Sequence, residues 1–137
     1  MKIQLDPGAF PPTHAHLEDA GLDIRAKHPG TVRAHSSAVF STGVHVQLPH
    51  WCCGLLVSKS GLNTLNDITS TGLIDAGYTG EIRVKLYNHG ETDYYVRAGD
   101  KISQLVVLPF EHPYVEIVDE LEPTGARGNR GFGSSGR

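Results

Sequence analysis

Short apolar runs that alternate with polar residues fill the middle of this chain, and they constrain its fold more than any other feature. Within Glu81–Asn88, the apolar residues Ile82, Val84 and Leu86 take every second position, and polar or charged residues stand between them. A period of two places one set of side chains on each face of a half-buried β-strand. Gly43–Leu48 repeats the pattern. The sequence therefore predicts a fold built from strands.

Two further runs extend this prediction. Ile102–Pro109 is almost continuously apolar, as expected of a strand covered on both faces, and Val115–Val118 is a shorter candidate strand. Gly, Pro, Asn and Asp interrupt the runs about every 8 to 12 residues, the spacing of an all-β sandwich or barrel. Only Ser58–Asn66 predicts a helical turn or two. We expect one all-β domain over residues 1–121 and a separate tail over residues 122–137.

Composition excludes several classes of function. The chain has 137 residues, 20% of them charged, and a formal net charge of -3, which argues against a non-specific nucleic-acid binder with a basic face. It has no apolar run near the roughly 20 residues of a membrane span, and no signal peptide is recognisable. Cys52 and Cys53 are neighbours, a poor geometry for a mutual disulfide, and are expected to be small buried hydrophobes in a reducing compartment. We expect a cytoplasmic protein with no nucleic-acid or membrane partner.

The tail Gly125–Arg137 combines low apolar content with groups suited to a nucleotide. Gly and Ser fill most of it, so it cannot bury enough apolar surface to offset the entropy of ordering. It also carries arginines that suit phosphate oxygens, glycines that let backbone amides approach them, and a phenyl ring that can stack on a base. The pattern is typical either of a disordered terminus or of a flexible arm that closes over a nucleotide.

Four other short segments carry polar groups of possible function. An acid stands between apolar residues in the first, and a cation, a hydroxyl and a glycine form a predicted strand-to-helix turn in the second. Such a turn offers free backbone amides to a phosphate. The four segments, in chain order, are Ala20–Ala26, Ser58–Leu62, Gly72–Ile82 and Gly99–Leu105. Each is a weak signal by itself, but their order together with the tail is highly specific.

The five segments in this order resemble the motifs of the homotrimeric, all-β dUTPase family, from about residue 20 to the end of the chain. The resemblance implies a distorted β-barrel of jelly-roll type. It implies hydrolysis of dUTP to dUMP and pyrophosphate, which keeps uracil out of DNA and supplies the precursor of dTMP. It also implies a homotrimer with active sites at the subunit interfaces, each closed by a C-terminal arm, and a Mg²⁺ ion carried on the triphosphate.

The resemblance assigns catalysis and base recognition to the third motif. Asp75 is expected to activate the attacking water, since the reaction needs a base but no covalent intermediate. Tyr78 is expected to pack against the deoxyribose so that a ribose 2′-hydroxyl would clash. Thr69 and the backbone of Leu73 and Ile74 correspond to the hairpin that reads the uracil edge. Taken without the motif, Asp75 would be interpreted as a turn-capping residue and Tyr78 as a barrel-rim aromatic.

The second and fourth motifs supply the expected phosphate contacts. Lys59, Ser60 and Gly61 resemble the second motif, although the family usually has Arg where this chain has Lys59, and lysine cannot make a planar bidentate contact. Ser60 is expected to hydrogen-bond the oxygens around the scissile bridge, which makes it the second catalytic candidate. Gln104 corresponds to a donor to the α-phosphate. Arg83 falls where the family often places a cation near the substrate.

The arm and the metal complete what the resemblance implies. Arg127 matches a γ-phosphate ligand and Phe132 a lid over the uracil, and further contacts are expected from Gly133, Ser134 and Ser135. The scattered histidines have no credible metal-ligand spacing. Mg²⁺ is therefore expected to bind triphosphate oxygens and waters, and Asp23 to act through waters or to lie on the trimer axis.

Two other functions remain open at this point. A dCTP deaminase shares the fold and the motif order, but it needs a general acid/base glutamate where this chain has Lys85. A lysine cannot shuttle the proton as that carboxylate does. The second alternative is a non-enzymatic barrel that binds and regulates a partner protein, although no long insertion in the sequence suggests a separate docking element.

Overall fold

A computed structural model describes residues 1–122 and Gly125, and strands account for most of the regular structure in this part of the chain. The elements, in chain order, are β1 (Lys2–Leu5), β2 (Gly21–Arg25), β3 (Gly30–Val32), β4 (Ser36–Gln47), β5 (Cys52–Val57), α1 (Ser60–Asn66), β6 (Ile68–Ile74), β7 (Glu81–Asn88), β8 (Tyr94–Val96) and β9 (Lys101–Pro109). The predicted all-β class is confirmed. The predicted helical turns are also confirmed, as α1.

Seven of the strands form one sheet in the order β1-β4-β7-β6-β5-β9-β2, while β3 and β8 form a separate two-stranded sheet. All of the pairings are antiparallel. The large sheet curls around a single apolar core, and β7 shows how the alternating sequence produces it. Ile82, Val84 and Leu86 have no exposed surface, whereas Arg83 and Lys85 on the opposite face are exposed. The rest of the core comes from the inner faces of the other strands and the residues next to them: Ile24, Ala26, Val32, Phe40, Val44, Val46, Leu48, Leu56, Ile68, Ile74, Val96, Ile102 and Leu105.

A β-bulge interrupts β4 where it passes the start of β7. Ser41 pairs with Arg83, but the next pair is His45 with Glu81, so three residues of β4 oppose one residue of β7. Gly43 in the bulge has φ +64, and a Cβ there would lie 2.8 Å from the Cβ of Ala9. Glycine is required for both reasons, since other residues rarely adopt this backbone and no space is available.

The β6–β7 hairpin opens towards its tip. Residues Ile68–Ser70 of β6 pair with β7, whereas Thr71–Ile74 pair with β5 on the other side. From Thr71 onward, therefore, no strand of the described chain pairs with the β7 side of β6. The opening leaves room between the two strands.

Three sequence predictions need correction. Val115–Val118 is not a strand: it lies in an exposed segment after β9 and pairs with no strand of the described chain. Cys52 and Cys53 are half-buried rather than buried, since they begin β5 at the rim of the sheet, and both are free thiols. Ile102–Pro109 is buried mainly in its first half, and Leu108 is 41% exposed.

Two expectations about the organisation of the chain remain predictions. The division at residue 121 remains a prediction, and almost all of the predicted flexible arm over residues 122–137 lies outside the described residues. Among the residues that are described, no helix has the length and apolar character needed to cross a membrane.

Candidate active site

The open end of the β6–β7 hairpin contains a pocket of about 280 Å³. We call it the nucleoside pocket, after the ligand that the sequence analysis predicts for this hairpin, and the residues that line it are Leu73, Ile74, Asp75, Tyr78, Glu81 and Arg83. Five of these six were predicted as site residues from the sequence. The structure therefore brings together the predicted base, the predicted sugar-packing aromatic and the predicted cation.

A tight turn at the hairpin tip sets the position of Tyr78. The Tyr78 amide donates to the Asp75 carbonyl at 3.0 Å, and the Tyr78 hydroxyl donates to the Glu81 carbonyl at 3.0 Å. The ring lies over Gly80, where an added Cβ would come within 2.5 Å of the hydroxyl oxygen. Gly80 is therefore needed for the ring to adopt this position beside the exposed carboxylate of Asp75.

Glu81 is the pocket residue that the sequence analysis missed. One carboxylate oxygen accepts hydrogen bonds from the Ser41 hydroxyl, the Thr42 amide at 3.2 Å and the Gly43 amide at 2.9 Å. Hydrogen bonding from Ser41 and then from the Gly43 amide, with the nearby Arg83, outweighs partial burial and lowers the pKa of Glu81 to about 2. A usable signal was present, because Glu81 and Arg83 have opposite charges two positions apart on one strand face.

Arg83 extends from the outer face of β7 beside the pocket. Its Nε lies 3.2 Å from Oε2 of Glu81, and 68% of its side chain remains exposed. The guanidinium is thus held at one edge and free to bind an anion or a polar ligand with its remaining donors.

A second polar cluster forms where β2, β5 and β9 meet, and we call it the phosphate cluster after the ligand predicted for it from the sequence. At its centre the Asp23 side chain is only 3% exposed and contacts the ammonium groups of Lys59 and Lys101, the latter at 2.6 Å. Burial opposes ionisation of Asp23, but the two lysines outweigh it and lower the pKa of this carboxyl. Two ammonium groups share one carboxylate, so one positive charge is left unbalanced.

Backbone and hydroxyl contacts fix this cluster to the sheet. Gln104 pairs with Asp23 on one side and with Val57 on the other, which places it beside the end of β5. The Ser70 amide donates to the Ser58 hydroxyl at 2.9 Å, directly before Lys59 in the chain. Ser60 and Gly61 follow as exposed residues at the start of α1. The predicted phosphate ligands of the second and fourth motifs therefore lie together.

The two groups of predicted residues lie apart within one chain. The Ser58–Ser70 contacts fix the phosphate cluster at one end of β6, whereas Asp75 follows its other end. Five residue steps along a strand correspond to about 17 Å. Thr69 lies at the cluster end and does not line the pocket of Leu73 and Ile74. Its hydroxyl is 2.8 Å from Nε2 of His89.

The remaining predicted site residues belong to the tail. Arg127, Phe132, Gly133, Ser134 and Ser135 lie outside the described residues. Within the described ranges, no group of three or more His, Cys, Asp or Glu side chains is arranged to hold a metal ion.

Comparisons with known proteins decide the family of this chain. The sequence profile of the dUTPase family matches residues 9–136. The chain belongs to the dUTPase family. The deoxyuridine 5'-triphosphate nucleotidohydrolase of a Picosynechococcus strain is 37% identical over 98% of this chain and 96% of its own length.

Solved phage dUTPases share the fold. A variant of the Staphylococcus bacteriophage 80alpha dUTPase with dUpNHpp has a TM-score of 0.92 and 30% identity, and the match covers 99% of this chain and 98% of that one. A variant of the dUTPase from phage phi11 of S. aureus, described with a structural Mg(II) ion, has a TM-score of 0.81 and 28% identity over 88% of this chain and 97% of its own. The predicted all-β jelly-roll fold is thereby confirmed.

Proposed function

We propose that this dUTPase binds the nucleoside of dUTP in the pocket of the β6–β7 hairpin and that Asp75 activates the water that attacks the α-phosphorus. Family membership provides the reaction itself: the enzyme hydrolyses dUTP to dUMP and pyrophosphate. This limits uracil incorporation into DNA and supplies dUMP for dTMP synthesis. The opened hairpin, with Asp75 at its tip, is the observation that carries the assignment of roles.

Backbone recognition of uracil is supported by the unpaired side of β6. Beyond Ser70, the amides and carbonyls of β6 that face β7 have no strand partner in the described chain, and Leu73 and Ile74 line the pocket there. A pyrimidine edge with alternating donors and acceptors can bind such a backbone as another strand would. A cytosine amino group would present a donor where uracil presents an acceptor, and a thymine methyl would require additional space.

Tyr78 and Asp75 act on the sugar and on the water, respectively. The Tyr78 ring, fixed by its hydrogen bond to Glu81, forms a rigid wall against the deoxyribose that would clash with a ribose 2′-hydroxyl. Asp75 is exposed at the pocket edge, where its carboxylate can accept a proton from water as the oxygen attacks in line. Pyrophosphate then leaves from the α-phosphorus.

The phosphate cluster supplies charge and donors to the triphosphate. The unbalanced positive charge shared by Lys59 and Lys101 attracts the anion, and both ammonium groups reach solvent, with side chains 22% and 34% exposed. Gln104, which pairs with Asp23 and Val57, is proposed to donate to the α-phosphate, together with Ser60 and Gly61 next to Lys59. Since Asp23 already binds Lys59, the lysine acts as a point charge and does not reproduce the bidentate grip of arginine.

We extend the proposal to Mg²⁺ bound through the triphosphate. Both oxygens of Asp23 contact lysine ammonium groups, so this carboxylate has no free oxygen directed at a metal. When bound, Mg²⁺ shields phosphate charge and orders the triphosphate, with triphosphate oxygens and waters as its ligands. The structural Mg(II) described for the phi11 enzyme supports magnesium in the family.

A homotrimer with shared active sites is the proposed assembly. A separation of about 17 Å between Asp75 and the phosphate cluster is too long for one α-phosphate to contact both in one chain. The segment that follows β9 supports the proposal, because it exposes a series of apolar side chains that a neighbouring subunit could bury. They are Tyr114, Val115, Ile117, Val118 and Leu121. Sedimentation should give a trimer at micromolar concentration, and an active monomer would contradict the proposal.

The C-terminal arm is proposed as the lid of each site, with Arg127 on the γ-phosphate, Phe132 over the uracil, and Gly133, Ser134 and Ser135 near the phosphates. Truncation after Pro123 should leave the barrel folded and abolish activity. Phe132→Ala should weaken nucleotide binding by roughly 1–3 kcal/mol if the ring stacks on the base. A fully active truncated enzyme would contradict the proposal.

We also propose that the enzyme is cytoplasmic, where the free thiols of Cys52 and Cys53 stay reduced.

Product analysis with dUTP, dCTP, dTTP and UTP tests the reaction and its specificity together. We expect dUMP and pyrophosphate from dUTP, with strong preference over the other three nucleotides. Formation of dUDP with phosphate, or deamination of dCTP, would contradict the assignment. No observation favours deamination, since Lys85 is exposed on β7 with its ammonium 4.9 Å from the centre of the Tyr87 ring. None favours a purely regulatory role either.

A further inference from the structure

Glu81 connects three parts of the molecule that the nucleoside pocket depends on. Its Oε1 accepts hydrogen bonds from the β4 bulge, at the amides of Thr42 and Gly43. Its Oε2 binds Nε of Arg83, and its backbone carbonyl accepts the Tyr78 hydroxyl. The same residue therefore contacts the bulge, the cation and the aromatic wall.

The bulge explains why an acceptor is needed at this position. Three residues of β4 oppose one residue of β7, so the amides of Thr42 and Gly43 cannot both find partners in the strand ladder. The Ser41 hydroxyl also donates to Oε1, and the Glu81 side chain is only 21% exposed. An unpaired amide at a partly buried position is unfavourable, so Glu81 is fixed by the fold rather than by the ligand.

The two carboxylate oxygens have separate partners. Oε1 is occupied by the three donors of the bulge, while Oε2 is directed at Arg83 at 3.2 Å. A long exposed arginine on a strand loses considerable rotamer entropy when it is ordered, and a fixed carboxylate beside it supplies part of this ordering before the ligand binds.

We propose that Glu81 is a positioning residue. The β4 bulge fixes the Glu81 carboxylate, and the fixed carboxylate orders the Arg83 side chain beside the nucleoside pocket before the substrate binds. The inference rests on the proposed function and on the expectation, from the family resemblance, that Arg83 lies near the bound substrate. In this role Glu81 acts through Arg83 and not on the reacting atoms, although its side chain also lines the pocket. Its contribution is to substrate binding, so its loss should act on KM more than on kcat.

Glu81→Gln separates the two functions of the side chain. The amide oxygen can still accept from the bulge, but the amide nitrogen is a donor and cannot accept from Arg83. We expect a folded enzyme whose kcat/KM for dUTP falls about tenfold, mainly through KM, as for the loss of one charge-assisted hydrogen bond. Ser41→Ala is the matched control, since it removes one donor to Oε1 while the Thr42 and Gly43 amides still hold that oxygen and Oε2 stays on Arg83. It should change KM less than twofold.

A double-mutant cycle with Arg83→Ala distinguishes positioning from a merely structural role. If Glu81 acts through Arg83, Glu81→Gln should have almost no further effect on KM once Arg83 is alanine. If the same roughly tenfold loss persists in the Arg83→Ala background, the positioning role is wrong. An Arg83→Ala enzyme with unchanged kcat/KM would remove Arg83 from the site and would also overturn the positioning role. The proposed function fails separately, if product analysis does not give dUMP and pyrophosphate from dUTP. Thermal unfolding of each variant checks that the fold is retained.

Discussion

The nucleoside pocket and the phosphate cluster each contain a carboxylate whose pKa is lowered, but the two carboxylates are held by different partners. In the pocket, Glu81 is held mainly by neutral donors, a hydroxyl and two backbone amides, with Arg83 at one edge. In the cluster, Asp23 is held by two lysine ammonium groups. The neutral donors of the bulge fix the Glu81 side chain in position beside the pocket. The two lysines that share Asp23 carry one more positive charge than the carboxylate balances, and this charge can attract an anion.

The two regions also differ in how the chain assembles them. The pocket comes from one hairpin, with its lining residues between Leu73 and Arg83. The cluster is assembled from three strands that are far apart in sequence and meet only at β9. The first arrangement gives a local, shape-selective site, and the second gives a charged surface that a neighbouring chain can use.

Asp75→Asn should have the largest effect, and it tests whether catalysis belongs to the pocket. The substitution keeps the shape of the hairpin tip and removes the base, so kcat should fall at least about a hundredfold while dUTP affinity is largely kept. The exposed side chain makes little contribution to the fold, so the unfolding midpoint should not move. Single-turnover rates and analogue binding provide the measurements. A kcat within about threefold of the native value would place the base elsewhere.

Asp23→Ala should have the next largest effect, on the free energy of unfolding, and it tests the charge coupling within the phosphate cluster. It leaves the Lys59 and Lys101 ammonium groups together without their shared carboxylate, which should cost about 3 kcal/mol in the free energy of unfolding. This is the low end of the range for buried pairs, because both lysines reach solvent. Denaturant unfolding provides the measurement, with Asp119→Ala as an exposed carboxylate control. Equal midpoints for the two variants would show that the cluster carries no such charge coupling.

The acid side of the stability profile should show a smaller effect from Glu81. The pKa of Glu81 is about 2 in the folded protein, compared with an ordinary value of 4.5 that applies to the unfolded chain. The contribution of Glu81 to the free energy of unfolding is therefore fully present above about pH 4.5 and is lost as the pH falls towards 2. The contribution should be about 2 kcal/mol, allowing for the partial exposure of the side chain. The stability difference between the native enzyme and Glu81→Gln should therefore shrink on acidification. A difference independent of pH from 6 to 3 would contradict this.

Much of the pocket could be predicted from the sequence because it is local. Asp75, Tyr78 and Arg83 belong to one continuous motif, and a hairpin brings such residues together without help from the rest of the chain. Glu81 was missed because its role depends on the bulge in β4, which pairs with β7 from a distant part of the sequence. Apolar alternation located the central strands for the same local reason.

The cluster and the segment after β9 show where this reasoning stops. No sequence pattern indicated that Lys101 would share Asp23 with Lys59, since the contact depends on the order of β2, β9 and β5 in the sheet. Val115–Val118 has the alternation and β-branched residues of a strand, yet a strand needs a partner edge. The described chain does not provide one, so apolar pattern alone gave the wrong prediction.

The central claim is that one active site takes its nucleoside pocket and its phosphate cluster from different chains, and mixed trimers test it most directly. One inactive variant carries Asp75→Asn, and the other carries Ser60→Ala with Gln104→Ala. Co-expression under separate tags allows mixed trimers to be isolated and their dUTP hydrolysis measured. If the sites are shared, about a third of the sites in the isolated mixed trimers should have both pocket and cluster intact and be active. Mixed trimers that stay as inactive as either parent would show that each site lies within a single chain.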